Sequence, residues 1–178
     1  MLTTSAHLAR VALQAHARSM NSRTCVRMFS SGSEFERQTL AALGALGFKL
    51  ELCGQAHDGG IDLIGNWSPE PMQSYSVLVQ CKHRKSATIG VGSVRELEGA
   101  LRAHARDSSV VGMLASSTKF SAFAASLAMA SPFPLALVCV DSQVARVSKF
   151  TPNPAFLKVV PACMLGRSLH QRLRFFLS

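Results

Sequence analysis

The spacing of apolar residues changes from helical to strand-like near residue 47. Leu40 and Leu43 lie on one face of a predicted helix, Ser33–Leu46, because residues three to four positions apart share a helix face. The apolar runs that follow are short and are separated by the turn compositions AHDGG and SPEPMQ, the second of which contains two prolines that cannot continue a hydrogen-bonded ladder. Three strands are predicted in these runs: Phe48–Cys53, Ile61–Trp67 and Ser74–His83.

The second half of the chain alternates helical and strand-like segments. A helix is predicted around Val94, Leu97 and Leu101, which form one apolar face. It is followed by a strand, a helix and a strand: Ser109–Ser116, Phe120–Ala130 and Leu135–Asp141. Helices between the later strands indicate crossover connections, so the sequence predicts an α/β fold with a mixed five-stranded sheet flanked by helices.

One apolar stretch is long enough to cross a bilayer. It covers residues 120–140, but Pro132 and Pro134 divide it into a small-residue helix and a short strand. We therefore predict no membrane span.

The full chain of 178 residues is 48% hydrophobic, which predicts one globular domain. Its amino-terminal segment differs in composition from the rest. Arginines occur at positions 10, 18, 23 and 27, and the first acidic residue is Glu34. This composition is typical of mitochondrial transit peptides, although a disordered basic tail would look similar. The sequence Arg27-Met28-Phe29 resembles a processing site, so we expect a transit peptide at residues 1–29 and location in the mitochondrial matrix.

The carboxyl-terminal end is basic, with no acidic residue after Asp141. We predict a domain at residues 30–150 and a basic extension at 151–178, which either contacts phosphate groups or is a solvated tail.

The five cysteines form no CxxC pair. Cys53, Cys81 and Cys139 lie in apolar runs and are interpreted as buried free thiols, which fits a reducing compartment rather than a zinc site or a disulfide framework.

Candidate chemistry begins with the run VLVQCKH at residues 77–83. Side chains alternate along a strand, so Gln80 and Lys82 point the same way at the end of a buried strand. A charge in that position needs a partner. If the second and third strands form an antiparallel hairpin, Asp62 lies beside Gln80. An alternative is that Asp62 and Lys82 form a purely structural buried ion pair.

Glu36 supplies another carboxylate. It lies on the same helical stripe as Leu40 and Leu43, which are expected to pack on the sheet. The competing interpretation is a capping box, in which Glu36 folds back on a helix cap at Ser33.

These segments together resemble a known family. The stretches FERQTLAALGALGFKLELCGQAHDGGIDLIGNW, VLVQCKHRK, VGSVRELEGAL, VVGMLASSTKFSAFAASLA and LALVCVD resemble, in this order, the catalytic domain of Mrr-like type IV restriction endonucleases, a branch of the PD-(D/E)xK nuclease superfamily. They also resemble the mitochondrial family named Required for respiratory growth protein 7. The resemblance covers residues from about Glu34 to Asp141, and it implies a restriction-endonuclease-like fold.

The resemblance implies a role for each matching residue. Asp62 matches the metal-binding aspartate, Gln80 the first position of the D/E/Q-x-K pair, and Lys82 the catalytic lysine. Glu36 matches the helix glutamate. Asp62, the Gln80 amide oxygen and the Cys81 backbone carbonyl would bind Mg²⁺, with Mn²⁺ as an alternative. Glutamine at position 80 removes one negative charge from this metal shell.

The resemblance implies DNA as the partner, and basic residues around the predicted site are suited to phosphate contacts, although a solvated strand end would look the same. His83, Arg84 and Lys85 extend the lysine strand, and Lys119 lies in the turn after the fourth strand. Formation of a homodimer is left open.

The sequence therefore predicts a metal-dependent DNA endonuclease of mitochondria, acting in mitochondrial DNA maintenance or respiratory growth. Two alternatives stay open: a catalytically inactive nucleic-acid-binding protein on the same fold, and a structural assembly factor.

Overall fold

The computed structural model describes residues 31–53, 60–70, 73–104 and 109–160. The predicted transit peptide, most of the AHDGG turn, Cys25, Cys163 and the end of the basic extension lie outside these ranges. The helices are α1 (Ser31–Gly44), α2 (Val91–Ala103), α3 (Ala122–Ala130) and α4 (Pro154–Val159). The strands are β1 (Phe48–Leu52), β2 (Leu63–Glu70), β3 (Gln73–Lys82), β4 (Val110–Ser116), β5 (Leu135–Asp141) and β6 (Arg146–Pro152).

The strands form a mixed sheet in the order β1-β2-β3-β4-β5-β6. β1, β2 and β3 pair antiparallel, β3, β4 and β5 pair parallel through the α2 and α3 crossovers, and β6 returns antiparallel to β5. The predicted α/β class and mixed sheet are confirmed, but within the described ranges the sheet has six strands rather than five. β6 was missed because its polar and basic sequence, which ends at Pro152, is that of a half-exposed edge strand rather than of a buried one.

Each face of the sheet has its own apolar core. α1 covers one face, where Phe35 and Leu43 pack with Val77 and Val79 of β3. α2 and α3 cover the opposite face, where Leu78 packs with the apolar side of α2. The alternation of β3 therefore sends its even-numbered side chains toward α2; the sequence predicted that Gln80 and Lys82 share one face.

The β2–β3 hairpin is tighter than expected. β2 continues through Pro69 to Glu70, and a bulge between Trp67 and Glu70 lets the proline remain in the strand. The register pairs Leu63 with Val79, which is the alignment predicted from the hairpin.

α1 begins at Ser31, two residues before the predicted start. Ser33 therefore lies in the first turn of the helix and not at its cap position. This placement removes the cap that the capping-box interpretation of Glu36 requires.

The chain beyond residue 150 continues into the core. Asn153 is fully buried at the start of α4, and Phe156 and Val160 are also fully buried. The Asn153 amide nitrogen donates to the carbonyl oxygens of Ala128, Ser131 and Phe133, at 2.9 to 3.1 Å. Its Oδ1 accepts from the backbone N–H groups of Leu135 and Phe156, at 3.3 and 2.8 Å. This side chain fastens α4 to α3 and β5, while the division into segments 1–29, 30–150 and 151–178 stays a prediction.

The long apolar stretch at residues 120–140 contains α3 and β5, as predicted. In the part of the chain that the structure describes, no helix is long and apolar enough to span a bilayer. The thiols of Cys53, Cys81 and Cys139 are partly buried.

Candidate active site

Asp62 is held against the end of β3 by its backbone and by its side chain. Its backbone N–H donates to the Val79 carbonyl at 2.9 Å, and its carbonyl accepts from Cys53 N–H at 2.8 Å. Its carboxylate oxygen Oδ2 accepts from the backbone N–H of Cys81 at 2.6 Å. The carboxylate is thereby fixed at the strand position between Gln80 and Lys82.

Gln80 is a buried polar side chain, with only 1% of its surface exposed. Its amide nitrogen Nε2 donates to Glu96 Oε2 at 3.0 Å, whereas its amide oxygen Oε1 is buried without a hydrogen-bond partner. Gly60 lies against this amide with φ +83°, and a Cβ atom at that position would be 2.9 Å from Nε2. Glycine at position 60 therefore makes room for the Gln80 amide.

Lys82 also reaches Glu96, with its Nζ atom 2.7 Å from Oε2. The hydrogen bond from Lys82, the charge of Lys82 and the hydrogen bond from Gln80 together hold the pKa of Glu96 below its ordinary value, against a smaller opposing effect of burial. Glu96 is thus a functional candidate that the sequence analysis missed. The sequence signal that could have found Glu96 is its position in the helix directly before Leu97. Leu97 is fully buried, so the backbone at Glu96 lies close to the sheet.

Glu36 lies half-buried on α1 within electrostatic reach of Asp62. Burial raises the pKa of Glu36, the charge of Asp62 raises it further, and Arg37 partly opposes the shift. Burial also raises the pKa of the Cys81 thiol, together with the charge of Asp62, so this thiol stays protonated at neutral pH. Glu36 and Asp62 therefore interact electrostatically with each other and with Cys81 near the end of β3, and their role in a reaction stays a prediction.

His83 points to the α1 face and is only partly exposed. Its ring packs on the ring of Phe35, with 5.5 Å between centroids, and its Nδ1 atom is buried without a hydrogen-bond partner. Of the predicted nucleic-acid contacts, His83 is therefore the least accessible.

Arg84, Lys85 and Lys119 are exposed, and we call them the basic rim. Two connections bring their loops together. Arg84 N–H donates to Ser117 Oγ at 3.2 Å, and Thr118 Oγ1 donates to the Ala87 carbonyl at 2.9 Å. The segment after β3 is consequently fastened to the turn after β4, which places all three cations along the same pair of loops.

An open polar cleft of about 490 Å³ adjoins the turn that carries Lys119. It is lined by hydroxyl, amide and charged groups, among them Thr118, Lys119, Ser142 and Gln143. Its connection to the site is short, because the Ser117 N–H beside it donates to the Lys82 carbonyl at 3.4 Å.

The donors at the end of β3 suit a hard divalent cation. In the described ranges, no three His, Cys, Asp or Glu side chains are grouped closely enough to hold a metal ion by themselves. Asp62 offers an anionic oxygen, however, and Gln80 offers a buried neutral oxygen without a partner. Oxygen donors of these types are those that Mg²⁺ and Mn²⁺ bind.

This chain is similar in sequence or in fold to several known proteins. Residues 27–144 match the sequence model of the Mrr catalytic-domain family, described as restriction endonuclease. An uncharacterized mitochondrial protein of Schizosaccharomyces pombe is 34% identical over 136 residues, which are 74% of this chain and 54% of that protein. This chain therefore spans about half the length of that relative. A solved structure, MspJI restriction endonuclease in complex with a 27-mer oligonucleotide, is similar over 80% of this chain and 32% of that chain, with 20% identity and a TM-score of 0.46.

Proposed function

This chain belongs to the Mrr catalytic-domain family of restriction endonucleases, and on that premise we propose that it is a metal-dependent DNA endonuclease of mitochondria. The observation that carries the proposal is the hydrogen bond between the Asp62 carboxylate and Cys81 N–H, because it fixes a carboxylate between Gln80 and Lys82. A carboxylate and an amide oxygen can bind a divalent cation, and an ammonium group can stabilise a charged phosphate, so these groups suit metal-assisted hydrolysis of a phosphodiester.

Asp62 and the Gln80 amide oxygen would hold the metal ion, with the Cys81 backbone carbonyl and Glu36 as further oxygen donors. A divalent cation in such a site stabilises the charge that develops on the phosphate and lowers the pKa of bound water. Lys82 orients the attacking water or stabilises the charged phosphate by hydrogen bonding. The exposed cations of the basic rim hold the DNA backbone by contacts that depend on charge and not on sequence.

The proposed location is the mitochondrial matrix, where the enzyme acts in maintenance of mitochondrial DNA or in respiratory growth. The arginine-rich segment without acidic residues before Glu34 supports import. The relative from Schizosaccharomyces pombe carries a mitochondrial description, which supports the same location.

The test is cleavage of nicked, single-stranded and duplex DNA by the purified full chain in Mg²⁺, Mn²⁺ or EDTA. Asp62→Ala and Lys82→Ala are compared with Lys158→Ala, which removes an exposed lysine on α4. We expect cleavage only with a divalent cation, loss of cleavage in the first two variants, and wild-type rates in the third.

Binding of the same DNA substrates separates the alternatives. Cleavage that persists in both Asp62→Ala and Lys82→Ala would show that a contaminant cuts the DNA. Tight, salt-sensitive binding without cleavage by the wild type would favour the catalytically inactive nucleic-acid-binding protein, and weak binding that vanishes at moderate salt would favour the assembly factor.

A further inference from the structure

Glu96 joins the two polar side chains of β3 through a single oxygen. Its Oε2 atom accepts from Gln80 Nε2 at 3.0 Å and from Lys82 Nζ at 2.7 Å. The neighbouring α2 residues Val94 and Leu97 are fully buried, so the backbone that carries Glu96 is anchored in the core. The carboxylate is therefore presented to β3 from a rigid element, although 54% of the side chain is exposed.

An amide side chain has two ends of nearly the same shape, and only its hydrogen bonds decide which end points where. An ionised carboxylate accepts hydrogen bonds and donates none. Glu96 therefore selects the orientation in which the NH₂ group of Gln80 faces α2. The other end, Oε1, is left buried and without a partner, which is unfavourable unless a ligand satisfies it.

We propose that Glu96 is a positioning residue of the active site, which turns the Gln80 amide so that its oxygen is presented to the metal ion. The inference rests on the proposed function, because it concerns the metal site of the same reaction. It also explains how a neutral glutamine at position 80 can act as a metal ligand: Glu96 orients its amide. A carboxylate at position 80 has two equivalent oxygens, so no orientation would have to be selected.

That difference supplies the test, a double-mutant cycle between positions 80 and 96. The variants are Glu96→Gln, Gln80→Glu and both together, and the readout is the affinity of the DNA-free full chain for Mn²⁺, measured by electron paramagnetic resonance. Glu98→Gln, on the same helix, controls for the loss of one negative charge. Thermal unfolding of each variant checks that the fold is retained.

We expect Glu96→Gln to weaken Mn²⁺ binding about tenfold or more, as loss of an orienting partner of a metal ligand does. The new amide at position 96 can turn either end toward Gln80, so the selection is lost. In the Gln80→Glu background, the same change should weaken Mn²⁺ binding less than about threefold, because a carboxylate has no orientation to select. Glu98→Gln should bind Mn²⁺ as the wild type does.

Equal weakening by Glu96→Gln in both backgrounds would overturn the inference, since Glu96 would then act only through its charge. Unchanged Mn²⁺ affinity in Glu96→Gln would overturn it too, and would leave Glu96 as a surface ion pair of Lys82. Both results leave the proposed function standing. Failure of the wild type to bind Mn²⁺ would instead remove the proposed function, and this inference with it.

Discussion

The carboxylate of Asp62 accepts a hydrogen bond from the backbone N–H of Cys81, at 2.6 Å. The bond joins the residue directly before β2 to the end of β3, next to the point where Leu63 pairs with Val79. The same carboxylate is therefore both a structural contact and a candidate metal ligand. A substitution that keeps the hydrogen bond to Cys81 N–H and removes the negative charge can separate these two roles.

Asp62→Asn is that substitution, because an amide oxygen can still accept from Cys81 N–H but carries no negative charge. We expect the free energy of unfolding to change by less than about 1 kcal/mol, the usual size of one hydrogen bond. Cleavage should fall by at least about 100-fold. Loss of a residue that only orients a metal ligand costs up to about 100-fold, and loss of the ligand's charge should cost at least as much. Urea denaturation and initial cleavage rates measure the two effects.

The matched control is Asp141→Asn. Asp141 is exposed at the end of β5, and its Oδ1 also accepts a backbone N–H, that of Gln143, at 2.9 Å. This variant should cut DNA at the wild-type rate. Cleavage by Asp62→Asn at a comparable rate would show that the Asp62 charge has no part in the reaction.

Gly60→Ala should damage the site through the Gln80 amide. The added Cβ would be 2.9 Å from Gln80 Nε2, and φ at position 60 is +83°, a conformation that costs about 1–2 kcal/mol for a residue with a side chain. We expect a loss of stability of at least about 1 kcal/mol and weaker Mn²⁺ binding. Urea denaturation and Mn²⁺ titration measure these changes.

Gly99→Ala is the control for the glycine substitution. Gly99 lies in the interior of α2, where an added Cβ would meet no atom within 4 Å. Replacing glycine by alanine inside a helix stabilises it by about 1 kcal/mol, so this variant should gain stability and keep its Mn²⁺ affinity. Unaltered Mn²⁺ affinity in Gly60→Ala would mean that the Gln80 amide tolerates displacement.

Asn153→Ala should destabilise the fold without affecting chemistry at the site. The change leaves the carbonyl groups of Ala128, Ser131 and Phe133 without this donor, and it removes the acceptor for two backbone N–H groups. Each buried polar group left without a partner costs about 1–3 kcal/mol, so we expect a loss of at least about 3 kcal/mol in urea denaturation.

The same substitution at Asn66, which is exposed on β2, should change stability by less than about 0.5 kcal/mol. At a temperature where Asn153→Ala remains folded, its cleavage rate per folded molecule should equal that of the wild type. A loss of less than about 1 kcal/mol would show that water or neighbouring groups replace the amide.

Much of the architecture could be predicted because it depends on local pattern. The apolar runs of β3, β4 and β5 are buried on both faces and read as strands directly. The position of Asp62 beside Gln80 followed from the register of one hairpin, which a short turn largely fixes. The resemblance to restriction endonucleases implied roles for these residues, which stay predictions.

The parts that could not be predicted depend on contacts between distant segments. β6 is a polar edge strand, and nothing in its own sequence says that it pairs with β5. Asn153 reads as a turn residue between two prolines. Its five partners lie in α3, in the loop after it, at the start of β5 and in the first turn of α4. Glu96 reads as one of several charged residues on an amphipathic helix, and only the crossover of α2 onto the sheet shows that it meets Gln80 and Lys82.

The basic rim gives a prediction about DNA binding that does not depend on cleavage. Each cation that neutralises a phosphate releases counterions, so the logarithm of the binding constant falls linearly with the logarithm of the salt concentration. We expect Lys85→Ala and Lys119→Ala each to reduce this slope by about 1 and to weaken binding to all duplex sequences alike. The measurement is fluorescence anisotropy with labelled duplexes in EDTA over a range of salt concentrations.

Lys158→Ala is the equal-charge control, because Lys158 is exposed on α4. α4 follows Pro152, which pairs at the start of β5, whereas the turn that carries Lys119 follows Ser116, which pairs near the other end of β5. If long-range attraction to the whole basic surface governed binding, all three variants would lower the affinity by similar amounts and leave the slope nearly unchanged. Direct phosphate contacts would instead lower the slope only in the two rim variants. A wild-type slope in both Lys85→Ala and Lys119→Ala would place the DNA backbone elsewhere on the molecule, and the polar cleft beside Ser142 and Gln143 would be the next surface to test.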